Sequence, residues 1–313
     1  MMTRGERLDW LDAAKGLGII LVVIGHAWTK GQMRDTIYAF HMPLFFLLAG
    51  YTARPKPMAQ YLSAQLRSMA IPYVAFLLTL AAIDPLIEHA RGYLPMFRTW
   101  EAAGRALLLG GSELSGPLTI FWFIPCLLVA RIMQNALLLL WPDVRDWRWF
   151  VAMAAALWFG IWIGARTDFS PLGLLSVPVA LVFLWLGAVW RVTPLQGCMA
   201  FLAAIAVFFW VLGEPVPPIN MKAGDYGDPL FALPLAVLMS LALVWVAKAI
   251  PWRPLVILGQ MSMVIMYCHV AVIHYGRPYF STLTLAVLGV GIPVLVHILL
   301  ARWRWSARIF LGK

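Results

Sequence analysis

The chain has 313 residues, of which 62% are hydrophobic and only 12% charged, with a mean hydropathy of +0.82. Soluble domains carry about 25% charged residues, so a water-soluble globular protein is excluded, and 16 Trp with 17 Phe exclude a disordered or nucleic-acid-binding chain. The net charge of +10 is therefore read by its position around a membrane.

A membrane helix needs about 20 mostly apolar residues, and the hydropathy pattern predicts about ten spans, at roughly 16–29, 37–53, 67–83, 119–141, 147–165, 171–190, 197–213, 229–248, 255–275 and 279–301. The expected fold is an all-α polytopic transmembrane bundle, a single domain over residues 1–313 with no fused soluble domain. An even number of spans puts both termini on one side. Most of the 24 Lys and Arg fall on that side, so the positive-inside rule makes both termini cytoplasmic, in a multi-pass protein of the cell inner membrane. No small-x-small cleavage site follows Trp28, which makes the first span an uncleaved helix. Cys126, Cys198 and Cys268 lie within spans without paired spacing, and neither a disulfide framework nor a metal site is expected.

Ionisable groups inside a span mark functional candidates, because lipid does not tolerate them without a polar cavity. In the first helix, Lys15 and His26 are eleven residues apart, three turns plus about 20°, so they share one face, with Asp12 about 40° to the other side of His26. His26 then sits roughly 16 Å above Lys15, deep in the hydrocarbon. An Asp12–Lys15 surface pair with an isolated, satisfied histidine is the bland alternative. The second helix places His41 beside Pro43, where a proline kink would shape either a site wall or ordinary packing. Arg67 opens the third span, five residues before Pro72. With Lys15, Arg54, Lys56, Arg191, Lys248 and Arg253 it makes a basic cytoplasmic mouth, as topology alone requires or as an anionic, phosphate-bearing ligand would require. The connection over 84–118 contains WEAAGRALLLGG, too short and too broken to cross, expected along the interface or folded over the external mouth. Trp141, Trp147, Trp190 and Trp252, near span ends, read as interfacial anchors. The proline-rich loop over 213–229 is expected to carry function or be disordered. In the ninth helix Ser262, Met266 and His269 fall at i, i+4, i+7 on one face, bringing His269 toward the depth of His26 and His41. His89, His274 and His297 read as structural or solvated.

WLDAAKGLGIILVVIGHAW followed by IYAFHMPLFFLLAGY resembles the start of membrane acyltransferase family 3, the integral-membrane sugar O-acyltransferases, and in particular their fucose O-acetylase-like branch. The resemblance continues through RSMAIPY, IFWFIPCLL, WLGAVWR, NMKAGDYGDPL and LGQMSMVIMYCH, in order along nearly the whole chain. It implies a ten-span enzyme that moves an acyl group, usually acetyl from cytoplasmic acetyl-CoA, onto a carbohydrate hydroxyl. The family's catalytic histidine falls on His26 and its basic partner on Lys15. Of the family's paired third-span arginines, linked to the donor, this chain keeps Arg67 and has Ala64 at the earlier position.

Acyl transfer from a thioester to an alcohol needs a base for the hydroxyl proton and donors for the tetrahedral oxyanion. Histidine suits the first task. The expected site therefore has His26 as general base or acyl carrier, Lys15 and Asp12 on the same stripe, and Arg67, His41, His269 and Ser262 around the substrates. The expected partners are acetyl-CoA, a saccharide or glycolipid acceptor and the bilayer, with no permanently bound cofactor and no nucleic acid. A proton-coupled small-solute transporter is the competing reading, since kinked helices with buried His and Asp suit that as well.

Overall fold

A computed structural model describes residues 8–193, 218–250 and 252–313; the expected span at 197–213 lies outside them. The described chain is helical, with no strand: α1 (Asp9–Ala27), α2 (Gln32–Tyr51), α3 (Met58–Gln65), α4 (Ile71–Arg91), α5 (Trp100–Leu109), α6 (Phe123–Leu140), α7 (Trp147–Gly164), α8 (Val177–Val192), α9 (Pro229–Ala249), α10 (Arg253–Gly276), α11 (Thr282–Ala301) and α12 (Arg304–Phe310). Eight helical stretches among these residues are long and apolar enough to cross a membrane. The 20-residue α2 is not one of them, because Gln32, Arg34, Asp35 and Thr36 occupy its first turns.

Two close crossings organise the bundle. Where α1 meets α10, a Cβ on Gly16 would lie 2.1 Å from the Leu255 carbonyl oxygen, and one on Gly259 would lie 1.8 Å from that of Asp12. Where α2 meets α8, a Cβ on Gly50 would reach within 1.9 Å of the Leu184 oxygen, and one on Gly187 within 2.1 Å of that of Leu47. Lipid offers no hydrophobic drive for helices to associate, so backbone-to-backbone packing at small residues supplies it. α1 and α2 are thereby fixed side by side in the middle of the bundle, with Leu44, Phe46 and Ile19 fully enclosed.

The third span departs from the sequence expectation at both ends. Helix begins at Met58 rather than near 67 and continues through Asp84 and Glu88, which the sequence reading assigns to an external loop. A π turn, Leu66–Ala70, joins α3 to α4. It lies where Pro72, lacking an N–H, removes the bond back to Ser68. The acidic pair persists inside the helix because each carboxylate is satisfied. Asp84 accepts from the Met96 amide at 2.7 Å and the Tyr275 hydroxyl at 2.8 Å. Glu88 accepts from Arg91 at 2.7 Å and lies 3.3 Å from His274 Nε2. The half-exposed His274 is thus structural, as the sequence suggests.

α12 was not foreseen. It turns back onto α4, with the Phe310 ring 5.1 Å from that of Phe76, and a Cβ on Gly312, at φ +65°, would lie 2.7 Å from Ser68 Cα. Trp147 and Trp252 are exposed as anchors should be, but Trp190 is buried. Its ring packs 4.7 Å from Tyr51 and 6.0 Å from Trp10, under the Lys248 ammonium. At the opposite end of the bundle, α5 is only ten residues long, too short to cross. The loop at 218–228 is built into the structure there. Lys222 donates to the Leu114 carbonyl at 2.6 Å and the Thr119 hydroxyl at 2.8 Å, and the Ser176 hydroxyl donates to the Met221 carbonyl. Burial lowers the Lys222 pKa to about 8.

Candidate active site

The α1–α10 crossing builds the first part of the site. With Gly259 against the Asp12 backbone, the next residue, Gln260, reaches Asp12: its amide donates to Oδ2 at 3.4 Å while Lys15 Nζ lies 3.2 Å from Oδ1. Asp12 is buried and the Lys15 side chain is 33% exposed, so the pair is held by packing rather than displayed on a surface. It lies on the wall of a cavity of about 380 Å³ bounded by α1, α2, α6, α10 and the π turn.

The cavity is graded along its length. Asp12, Lys15, Thr52, Ser68, Arg131 and Gln260 line one end, while Ile19, Val22, Met42, Phe45, Phe123 and Met266 line the rest. Ten residues of α1 separate Asp12 from Val22, roughly 15 Å of helix. Its polar end lies toward the start of α1 and its apolar throat toward the end. Ser262 is on the wall, and its helix-mates Met266 and His269 follow on the same face, as the spacing predicts.

The three histidines come together just beyond that throat. His26 and His269 have ring centroids 5.1 Å apart. Tyr38 completes the group, its hydroxyl 3.1 Å from His26 Nδ1 and its ring 4.8 Å from that of His41. None of the three imidazoles lines the cavity. Val22, Met42 and Met266, which stand respectively four residues before His26, one after His41 and three before His269, form the layer between. The continuous channel wall expected from the α1 stripe is therefore a cavity at its foot and a packed histidine cluster beyond it, with three apolar side chains between.

Hydrogen bonding fixes two of the rings. His41 Nδ1 is 2.9 Å from the Ile37 carbonyl and His269 Nδ1 2.8 Å from that of Ile265. A carbonyl only accepts, so in the neutral ring Nδ1 carries the hydrogen and Nε2 presents a lone pair. Both imidazoles can accept from a hydroxyl, and neither can donate to an oxyanion while neutral. His269 is fully buried, and its Nε2 has no partner. His26 is only half-buried; when its Nδ1–H donates to Tyr38, its Nε2 is likewise free to take a proton. Outside this group, Arg34 stacks 4.1 Å over the Tyr38 ring and Arg277 donates to the His26 carbonyl at 3.2 Å.

Arg67 is not brought to the cavity. It sits in the π turn, exposed, and donates to the Ser63 hydroxyl at 2.9 Å and carbonyl at 3.3 Å on the preceding turn. The residues that sequence reasoning missed are Tyr38, Gln260 and Arg131. Tyr38 lies three residues before His41, a same-face spacing, but the hydropathy pattern starts the second span near 37, which puts Tyr38 at a helix end. Gln260 is visible only through the helix crossing. No group of three or more His, Cys, Asp or Glu that could hold a metal occurs among the described residues. No curated protein and no solved structure matches the chain. Residues 8–303 match the sequence model of the family 3 acyltransferase domain, and with so much of its length covered the chain belongs to membrane acyltransferase family 3.

Proposed function

We propose that this membrane acyltransferase moves an acetyl group from cytoplasmic acetyl-CoA to a hydroxyl of an extracytoplasmic or lipid-linked saccharide, in the cell inner membrane. The observation that carries the reading is the stacking of a polar-footed cavity beneath a cluster of histidines, one of which, His269, has an unpartnered Nε2. The donor enters at the Asp12–Lys15 end and threads its arm up the throat. The acceptor hydroxyl meets His26, with His41 and His269 accepting from neighbouring sugar hydroxyls.

In the reaction His26 Nε2 takes the hydroxyl proton as the oxygen attacks the thioester carbonyl. The tetrahedral oxyanion collapses, the carbon–sulfur bond breaks, and the proton passes to the departing thiolate to give the O-acetyl sugar and free CoA. Tyr38 orients the ring and, when its hydroxyl accepts from Nδ1–H, leaves Nε2 basic and supports the imidazolium that forms. The acetyl group must pass Val22, Met42 and Met266, and the two methionines are flexible enough to let it do so. The test is His26→Ala in cells whose surface glycans are compared by mass spectrometry with and without the protein. The acetyl mass difference should fall by ~10²–10⁴-fold, the usual worth of a general base, while folded protein remains in the membrane. Wild-type acetylation by the variant would remove His26 from the chemistry.

A further inference from the structure

Arg131 lies on α6 nine residues before its last residue, roughly 14 Å along the axis, so it is well inside a span rather than at its edge. Its half-buried side chain lines the cavity. Among the described residues its one hydrogen-bond partner is the Met69 sulfur at 3.8 Å, and it forms no ion pair. A thioether is a weak acceptor for a group with five N–H donors. The neighbouring side-chain oxygens do not serve it: Asp12 accepts from Lys15 and Gln260, while the Ser68 hydroxyl donates to the Ala64 carbonyl at 2.8 Å and the Thr52 hydroxyl to the Ala49 carbonyl at 2.9 Å. With Lys15 and Arg131 set against Asp12, the lining carries one positive charge in excess. A guanidinium held in a span with only a thioether for an acceptor is costly and marks a candidate ligand contact.

We infer that Arg131 is the positioning residue for the phosphate end of the acyl donor, an inference that rests on the acyl-CoA reading above. A planar guanidinium matches phosphate oxygens bidentately. From Arg131 the cavity follows α6 to its first residue, Phe123, eight residues or roughly 12 Å away. A donor anchored at Arg131 by its diphosphate thus runs its pantetheine arm up the apolar throat and presents the thioester to the layer beneath His26. Arg67, bound to its own helix, is replaced in this role by a cation from a different helix.

The test is calorimetric titration of the full chain in lipid nanodiscs with CoA, 4′-phosphopantetheine and pantetheine. Wild-type protein should bind CoA and 4′-phosphopantetheine at least about tenfold more tightly than pantetheine, the difference a charge-assisted phosphate contact provides. Arg131→Met should abolish that preference and weaken CoA by about the same factor, whereas Arg131→Lys should restore part of it. A purely structural role would instead weaken all three probes together, overturning the assignment, as would an unchanged CoA affinity in Arg131→Met. If Arg131→Met does not fold, the wild-type ranking of the three probes and the Arg131→Lys titration decide the matter, and equal wild-type affinities overturn it. Discs with and without phosphatidylglycerol separate the two phosphate sources. An Arg131 effect confined to anionic discs assigns the residue to a lipid headgroup and overturns the donor role. Wild-type protein that binds none of the probes removes the acyl-CoA reading itself, whereas binding that ignores Arg131 removes only this inference.

Discussion

The two ends of the α1 face are built by opposite means. At the foot, Asp12, Lys15, Gln260 and Arg131 are charged or polar side chains from three helices that meet around an empty volume. Three turns higher, the histidines are packed ring against ring, two of them tied to carbonyls of their own helices. In the proposed reaction the foot receives the charged end of the donor and the upper cluster accepts hydrogens from the acceptor's hydroxyls. The difference teaches that one stripe of a single helix can join a charged cavity to a packed imidazole cluster when a hydrophobic layer lies between them.

The sharpest way to break that comparison is to make the layer impassable. Met266→Trp fills the passage beneath His269, and transfer should fall about 100-fold, as for other misplacements near reacting atoms, while CoA affinity at the foot stays within twofold or so. Transfer at the wild-type rate would mean that the thioester takes another route. A smaller effect is expected from Tyr38→Phe, which removes the hydroxyl bonded to His26 Nδ1. Turnover should drop roughly five- to tenfold, the worth of about one hydrogen bond, with KM for acetyl-CoA unchanged. A rise in that KM instead would place Tyr38 on the donor side.

The smallest effect sharpens the contrast between two enclosed cations. Lys222, unlike Arg131, has two oxygen acceptors, yet burial holds its pKa to about 8, below the ordinary lysine value of 10.5. Between those values the unfolded chain binds more protons than the folded one, so the anchoring of the 218–228 loop strengthens as pH rises through that window. Hydrogen-exchange protection of the loop, corrected for intrinsic rates, should increase modestly from pH 8 to 10. Lys222→Met should flatten the slope; a slope that persists would assign it to another group.

How much of this was legible in the sequence depends on the range of the interaction involved. The helical class, the membrane setting and the shared face of Asp12, Lys15 and Ser262 with their helix-mates follow from periodicity, a local property. That His26, His41 and His269 cluster was expected from depth, and the structure does bring them together. The layer of Val22, Met42 and Met266 was not legible, because depth counted along separate helices does not say how side chains interleave between them. Asp84 and Glu88 misled for a related reason: acidic residues read as loop until their partners, Met96, Tyr275 and Arg91, are seen. Arg67 kept its place in the sequence motif but not its presumed reach, since a π turn rotates it onto Ser63.

The contact between Gly312 and the π turn has a practical bearing. Ser68 and Met69 of that turn belong to the cavity wall, and Gly312 rests on the backbone of Ser68 with no room for a side chain. The segment that follows α12 is therefore a strut for that wall, and any side chain larger than hydrogen at 312 would press on it.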